Sequence, residues 1–133
     1  MKTSESAQPL VTVGVGNYNH RRFVIEALES VLAQTYPNIE LIIADDCSRD
    51  DSPALIREWI AARRPGTPFI AHDTNRGVCA TFNEIVTRAR GQYIALFSAD
   101  DVWLPHKVAS QVAVFDAEGP DLGVLFSEAR QMD

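Results

Sequence analysis

The sequence lacks an excess of positive charge and any long apolar run. Of its 133 residues, 12 are lysine or arginine and 18 are aspartate or glutamate, so the net charge is −6. Nonspecific nucleic-acid binding needs a basic surface, and this balance therefore argues against nucleic acid as a partner. No apolar run approaches the roughly 20 residues that span a bilayer. The start of the chain is polar and lacks the apolar core of a signal peptide, so we expect a cytoplasmic location.

Cysteine is also scarce. Cys47 and Cys79 lie 32 positions apart, which fits neither a zinc pattern nor a CxxC redox pair. We expect both to be reduced, small and buried. The three histidines, His20, His72 and His106, show no metal-ligand spacing, and we predict no catalytic role for them.

Strand-like apolar runs alternate with segments of helical periodicity. The strand-like runs are residues 10–15, 39–44, 69–71, 93–97 and 122–126. We expect Ser52 to cap the second helix, with Pro53 in its first turn. The alternation predicts an α/β fold: a Rossmann-like, mostly parallel sheet with helices on both faces. We divide the chain into a polar tail, residues 1–8, and one domain, residues 9–133. We expect it to be the front portion of a longer protein.

Two acidic pairs directly follow two of these strands. Asp45 and Asp46 follow the second strand, and Asp100 and Asp101 follow the fourth. Open parallel sheets bind ligands at the carboxyl ends of their strands. Four carboxylates gathered there would repel one another unless a cation or a hydrogen-bond donor lay between them. A divalent metal that holds a nucleotide diphosphate is the simplest such arrangement.

The first strand-to-helix turn offers an alternative ligand. Gly14 and Gly16 begin a G-x-G-x-x-G dinucleotide fingerprint, but Asn19 stands at the third glycine position. A nicotinamide-dependent oxidoreductase is therefore a second hypothesis. The other interpretation of this turn is purely structural, with Asn19 as a helix cap.

Each candidate site residue has a functional and a structural interpretation. Asp46 could accept a hydrogen bond from a ring N–H of a base on which Tyr18 stacks, or it could cap a helix. Asp100 and Asp101 offer the hard oxygen ligands that suit Mg²⁺ or Mn²⁺, or they form a solvated turn. Arg76, before the third helix, could reach a phosphate or lie in a plain surface loop. Trp103 could line the site or pack in the core.

The chain resembles family 2 glycosyltransferases of the GT-A fold over residues 9–127. The resemblance rests on the stretch ALESVLAQTYPNIELIIADD and on shorter matches: VTV at 11–13, Tyr18-Asn19, Asn75-Arg76-Gly77, Gly91-Gln92-Tyr93-Ile94-Ala95 and both acidic pairs. It implies the nucleotide-sugar-binding portion of a GT-A domain. The implied reaction transfers a sugar from a nucleoside diphosphate sugar, by family habit a UDP-sugar, to the hydroxyl of a saccharide or lipid-linked acceptor, usually with inversion.

The resemblance also implies roles for individual residues. Tyr18 would lie against the base, Asp46 would bind its ring nitrogen, Asp100 would face the ribose or the metal, and Asp101 would be the leading ligand of Mn²⁺ or Mg²⁺. The catalytic base and the acceptor surface would come from segments beyond residue 133, so we expect this chain alone to bind weakly and turn over little. The longer protein could associate with a membrane, and an exposed sheet edge could drive homodimerisation.

The chain departs from the family pattern at four places. Gly16-Asn17 replaces Pro-Thr, Cys47 replaces a glycine, Phe82 replaces an arginine, and Ser98 replaces the first acid of D-x-D-D. The loss of the arginine weakens any phosphate clamp. Phe82 and Ser98 also favour a third hypothesis, a non-catalytic domain that kept the fold and lost the donor site.

Overall fold

Strands and helices alternate along the chain, as the apolar runs predict. The structure is a computed structural model that describes residues 8–132; the predicted polar tail lies outside the described residues except for Gln8. The elements are β1 (Val11–Asn17), α1 (Val24–Leu32), β2 (Ile39–Asp45), α2 (Ser52–Arg63), β3 (Phe69–Ala71), α3 (Val78–Arg88), β4 (Tyr93–Ser98) and α4 (Lys107–Glu118).

The described residues contain one sheet in the order β3-β2-β1-β4, with every neighbouring pair parallel. In its register Asn17 pairs with Asp45, and Gly16 pairs with both Ala44 and Ser98. The carboxyl ends of β1, β2 and β4 therefore lie level with one another. This alignment brings the two acidic pairs to the same edge of the sheet.

Helices cover both faces of the sheet, which confirms the predicted fold class. Alternate side chains of one strand face opposite layers. Those of Val11, Val13 and Val15 belong to the larger core with α1, α2 and α4. On the other face Ile42 and Ala44 pack with Ile85 of α3. Because both faces are buried, the strands read as continuous apolar runs rather than as alternating patterns.

Gly14 permits α3 to lie directly on the sheet. A Cβ at this position would come 2.4 Å from Cγ2 of Ile85, far closer than van der Waals contact allows. The first glycine of the apparent dinucleotide fingerprint therefore serves helix packing in this fold. The interpretation of Asn19 as a helix cap is wrong, because α1 begins five residues later at Val24. Asn19 lies instead in a turn with a positive φ of 57°.

The predicted fifth strand is wrong. Residues 122–126 form no strand, although residues 123–126, together with residues of α4 and β4, line an open groove of about 470 Å³. Val124 and Phe126 are 65% and 87% exposed. An apolar run forms a strand only where a neighbouring strand accepts its backbone hydrogen bonds, and this run does not pair with β4.

Two smaller expectations also need correction. Ser52 is the first residue of α2 rather than its cap, which is Asp51. Both cysteines are free, as expected, but neither is buried: Cys47 is intermediate and Cys79 is exposed. Cys47 has a positive φ of 62°, a conformation that glycine adopts without strain. The sequence alone gave no reason to place either thiol near the surface.

Candidate functional site

A pocket of about 420 Å³ opens at the carboxyl ends of β1, β2 and β4. This is the position at which open parallel sheets bind ligands, and the volume is in the range of small-molecule sites. Its lining includes Gly16, Tyr18, His20, Asp46, Phe82 and Ser98. Tyr18 is 42% exposed, so its ring is accessible to a ligand at the rim.

The first acid of the first pair is a structural residue. Asp45 is 2% exposed. Its Oδ1 accepts hydrogen bonds from Asn17 Nδ2 at 2.6 Å and Ser48 Oγ at 2.5 Å, and its Oδ2 accepts from the Ser48 backbone N–H at 2.9 Å. These contacts join the ends of β1 and β2 to the loop before α2. Among the described residues, Asp45 is not part of the lining of the pocket.

The second acid, Asp46, joins β2 to the turn before α3. It is 5% exposed. Its Oδ1 accepts hydrogen bonds from Arg76 N at 2.7 Å and His72 Nδ1 at 2.9 Å, and its Oδ2 accepts from Gly77 N at 2.8 Å. Burial raises the pKa of Asp46, but these donors outweigh burial and hold it below its usual value. Three of the roughly four acceptor positions of a carboxylate are thus occupied, and the open one is on Oδ2.

His72 is a site residue that the sequence analysis missed. Its side chain is 2% exposed, and its Nε2 lies 2.8 Å from Glu84 Oε2 while Nδ1 faces Asp46. Glu84 in turn accepts a hydrogen bond from Arg88 at 2.9 Å and lies 3.7 Å from Arg76 Nη1. His72 is 26 positions from Asp46 and 12 from Glu84, so no local spacing pattern indicates this network.

Arg76 contributes to the site through its backbone. Its N–H binds Asp46, while its guanidinium is 57% exposed and lies beside Glu84. The positive φ of Gly77, 88°, shapes the turn that points both N–H groups at one carboxylate. A contact between the Arg76 guanidinium and a phosphate stays a prediction.

The second acidic pair lies in a tight turn after β4. The backbone N–H of Asp101 donates to the Ser98 carbonyl at 3.0 Å. Ser98 Oγ donates to Asp100 Oδ1, which also lies 3.8 Å from His20 Nε2. The Ser98 hydrogen bond, followed by the charge of His20, lowers the pKa of Asp100 against the opposing effect of burial. The Asp101 carboxylate is exposed and has no hydrogen bond or ion pair within residues 8–132.

The four carboxylates do not gather as we expected. Within the described residues, no three metal-ligating side chains come together. Hydrogen-bond donors occupy the oxygens of Asp45 and most acceptor positions of Asp46. Of the four carboxylates, those of Asp100 and Asp101 are therefore the ones left to offer oxygens to a metal. Magnesium and manganese need few protein ligands when phosphate oxygens and water complete the octahedron. The donor set therefore fits an ion that shares its shell with a bound diphosphate.

The end of α1 holds the loop that carries this pair. Gln34 Nε2 donates to the Leu104 carbonyl at 2.8 Å, and Gln34 Oε1 accepts from the Val108 backbone N–H at 3.0 Å. Ser30 Oγ accepts from Trp103 N at 3.2 Å. The Trp103 ring packs on Phe97 with centroids 4.4 Å apart, so it belongs to the core rather than to the pocket.

The family assignment follows from comparison with known proteins. The family described as "Glycosyl transferase family 2" matches residues 12–133. The chain belongs to glycosyl transferase family 2. The family 2 domain is 36% identical over 116 residues to the succinoglycan biosynthesis protein ExoO of Rhizobium meliloti, an alignment that covers 87% of this chain and 32% of that protein.

Solved structures place the family 2 domain in the GT-A fold. The mannosyltransferase PcManGT from Pyrobaculum calidifontis, in complex with GDP-Man and Mn²⁺, matches with a TM-score of 0.75 and 28% identity, over 89% of this chain and 35% of that one. S. aureus TarS 1-349, in complex with UDP, matches with a TM-score of 0.72 and 22% identity, over 81% of this chain and 32% of that one.

The family 2 domain spans about a third of the length of the curated relatives it matches. Within residues 8–132, no helix combines the length and apolar character that a membrane span requires.

Proposed function

We propose that this family 2 domain binds the nucleotide-sugar donor of a longer glycosyltransferase. The observation that carries the proposal is the anchored carboxylate of Asp46, which lines a pocket at the sheet edge and keeps one acceptor position open. The open position suits a ring N–H of a base, and the exposed ring of Tyr18 supplies a surface for stacking. The likeness to proteins solved with UDP and with GDP-Man supports this assignment.

The donor we propose is a UDP-sugar. Uracil presents one ring N–H, whereas guanine presents a ring N–H and an adjacent amino group to the same side. A carboxylate that has already accepted three hydrogen bonds has room for about one more. Asp46 therefore matches uracil better than guanine. His20 lines the pocket beside the Asp100 carboxylate, and we propose that it lies near the diphosphate. Arg76, whose guanidinium lies beside Glu84, would have to turn towards the pocket to reach a phosphate.

We further propose that Asp101 and Asp100 hold Mn²⁺ or Mg²⁺ together with the diphosphate. When bound, such an ion stabilises the negative charge of the departing diphosphate as a Lewis acid. Ser98 Oγ orients the Asp100 carboxylate, and the turn closed by the Asp101 N–H presents the Asp101 carboxylate to solvent. The PcManGT complex with Mn²⁺ supports this part of the proposal.

The reaction of the longer protein would join an acceptor hydroxyl oxygen to C1 of the sugar while the bond from C1 to the diphosphate oxygen breaks. A carboxylate base beyond residue 133 would take the hydroxyl proton, and attack opposite the diphosphate would invert C1. The relation to a succinoglycan biosynthesis protein supports a saccharide or lipid-linked acceptor. Low turnover by this chain alone, a cytoplasmic location, membrane association of the longer protein and homodimerisation stay predictions.

Titration calorimetry tests the proposal against its alternatives. We expect heat of binding with UDP plus Mn²⁺ and none with NAD⁺. Heat with NAD⁺ alone would support the nicotinamide-dependent oxidoreductase, which the comparisons do not favour. Heat with neither ligand, from a protein whose circular dichroism shows it folded, would support a non-catalytic domain. GDP plus Mn²⁺ as a third titrant checks the preference for uracil.

A further inference from the structure

We propose that His72 is a positioning residue, held as an imidazolium between Asp46 and Glu84. Its Nδ1–H fixes the Asp46 carboxylate that recognises the donor base, while its Nε2–H is held by Glu84. The inference rests on the proposed donor site and goes beyond it, because it makes nucleotide affinity depend on the proton of a histidine that does not itself line the pocket.

The geometry requires both ring nitrogens to carry hydrogen. Nδ1 lies 2.9 Å from Asp46 Oδ1 and Nε2 lies 2.8 Å from Glu84 Oε2. An ionised carboxylate only accepts hydrogen bonds, and a neutral imidazole has one N–H. Both contacts are hydrogen bonds only when the ring is doubly protonated. Because the His72 side chain is only 2% exposed, water has little access to replace Asp46 or Glu84 as its hydrogen-bond partner.

The charges around the ring favour the imidazolium. At the end of β2 the ring faces the carboxylate of Asp46, the residue after the strand, and the His72 backbone N–H donates to the Asp45 carbonyl at 2.9 Å. From α3 the ring faces Glu84, which is also in contact with Arg76 and Arg88. Burial lowers the pKa of His72, and Arg76 lowers it further, but the hydrogen bonds to Asp46 and Glu84 outweigh both and raise it above its usual value.

Loss of the His72 proton would affect the pocket because it would weaken the contact that holds Asp46. A neutral ring keeps one N–H, so a nitrogen lone pair would face one of the two carboxylates. Asp46 also binds the N–H groups of Arg76 and Gly77, and Gly77 is part of the pocket wall. Because the pKa of His72 is raised in the folded protein, the contacts are complete below about pH 6.5, the usual histidine value. They weaken as the pH rises through the raised value.

The experiment measures UDP affinity in the presence of Mn²⁺ from pH 6 to 8.5, by calorimetry, for the chain and its variants. We expect affinity to fall about tenfold across the range, the effect of roughly one charge-assisted hydrogen bond. His72→Gln should bind weakly at every pH. Glu84→Gln removes one carboxylate, so its fall should occur at lower pH. His106→Gln, at an exposed histidine, should follow the wild type, and the titration of UDP itself cancels between variants.

The ¹⁵N chemical shifts of the His72 ring provide a readout that needs no variant. We expect more than half of the rings to carry two protonated nitrogens at pH 6.5, the usual histidine pKa. A mostly neutral ring at that pH would overturn the inference, and so would identical pH profiles for His72→Gln and the wild type. Absence of UDP binding at every pH would overturn the donor site itself and the inference with it. Binding with an unchanged profile overturns the inference alone.

Discussion

The ring of Phe82 lies over Gly16 at the end of β1, where a Cβ added to the glycine would come 2.9 Å from Cζ of the phenylalanine. Two departures from the family pattern, one in β1 and one in α3, are therefore in contact. Together they make an apolar wall where the resemblance implies an arginine.

Replacing this wall with a cation should strengthen diphosphate binding. Phe82→Arg would place a guanidinium at the pocket, and charge-assisted hydrogen bonds to phosphate contribute roughly 1.5–3 kcal/mol. We expect UDP affinity to rise about tenfold or more while uridine affinity changes little, as measured by calorimetry. Asn83→Arg, on the exposed neighbour, adds the same charge away from the pocket and should leave both affinities unchanged. An equal gain for UDP and uridine would contradict the proposed phosphate position.

We expect the effect of Mn²⁺ on UDP affinity to depend on the second acidic pair, Asp100 and Asp101. Asp101→Asn removes an exposed carboxylate with no partner within residues 8–132, so we expect little change in stability. The gain in UDP affinity on adding Mn²⁺ should fall by about tenfold or more, because an amide is a poorer ligand for a hard cation. Asp121→Asn, at another exposed aspartate, is the matched control. A manganese effect that persists in Asp101→Asn would remove this residue from the metal site.

We expect Asp46 to make the free energy of unfolding depend on pH in the acid range. Its pKa is lowered in the folded protein, because the His72, Arg76 and Gly77 donors together outweigh burial. Its contribution is therefore complete above the unfolded pKa, about 3.9, and is lost as the pH falls through the lowered value. Asp46→Asn should lower the free energy of unfolding at pH 6 by about 1.5–3 kcal/mol.

Urea unfolding at a series of pH values measures both effects. The stability difference between wild type and Asp46→Asn should shrink as the pH is lowered below about 4. Asp73→Asn, at an exposed position in the next loop, should track the wild type. A difference that stays constant down to pH 2 would show that the carboxylate charge contributes nothing.

Gln34 should couple the end of α1 to the loop that carries Asp101. Gln34→Ala removes a donor to Leu104 and an acceptor from Val108, and we expect a loss of about 1–2 kcal/mol in the free energy of unfolding. The Mn²⁺-dependent part of UDP binding should weaken as well, because the loop is held less firmly. Gln92→Ala, whose side chain is exposed, is the control. If Mn²⁺ increased the UDP affinity of Gln34→Ala as much as that of the wild type, Gln34 would have only a structural role.

Local patterns predicted most of the fold because they depend on backbone geometry and burial. Four of the five predicted strands form, and each is followed by a helix that the apolar spacing indicated. The prediction of a strand at residues 122–126 failed because it used only the amino-acid composition of that segment. A segment with suitable composition forms a strand only when a neighbouring strand is available for backbone pairing, and the segment's own residues do not show whether one is.

The site was predicted less completely, and the two acidic pairs show why. Their position at the sheet edge follows from the strand ends: Asp46 lines the pocket, and Asp100 lies next to the pocket residue Ser98. Their roles as ligand-binding residues stay predictions. The roles of adjacent carboxylates depend on residues far away in the chain. Asn17 engages Asp45, and His72 engages Asp46, at separations that carry no periodic signal.

The sequence by itself determined the alternation of strands and helices, the sheet edge at which the pocket opens and the family, because each of these depends on short-range patterns or on a stretch of matching residues. The tertiary structure alone decided that Asp45 supports the fold, that Asp46 keeps one acceptor position open, and that a buried histidine lies behind it. Hydrogen bonds between side chains are set by distances of about 3 Å in space, and only the folded chain brings those partners together.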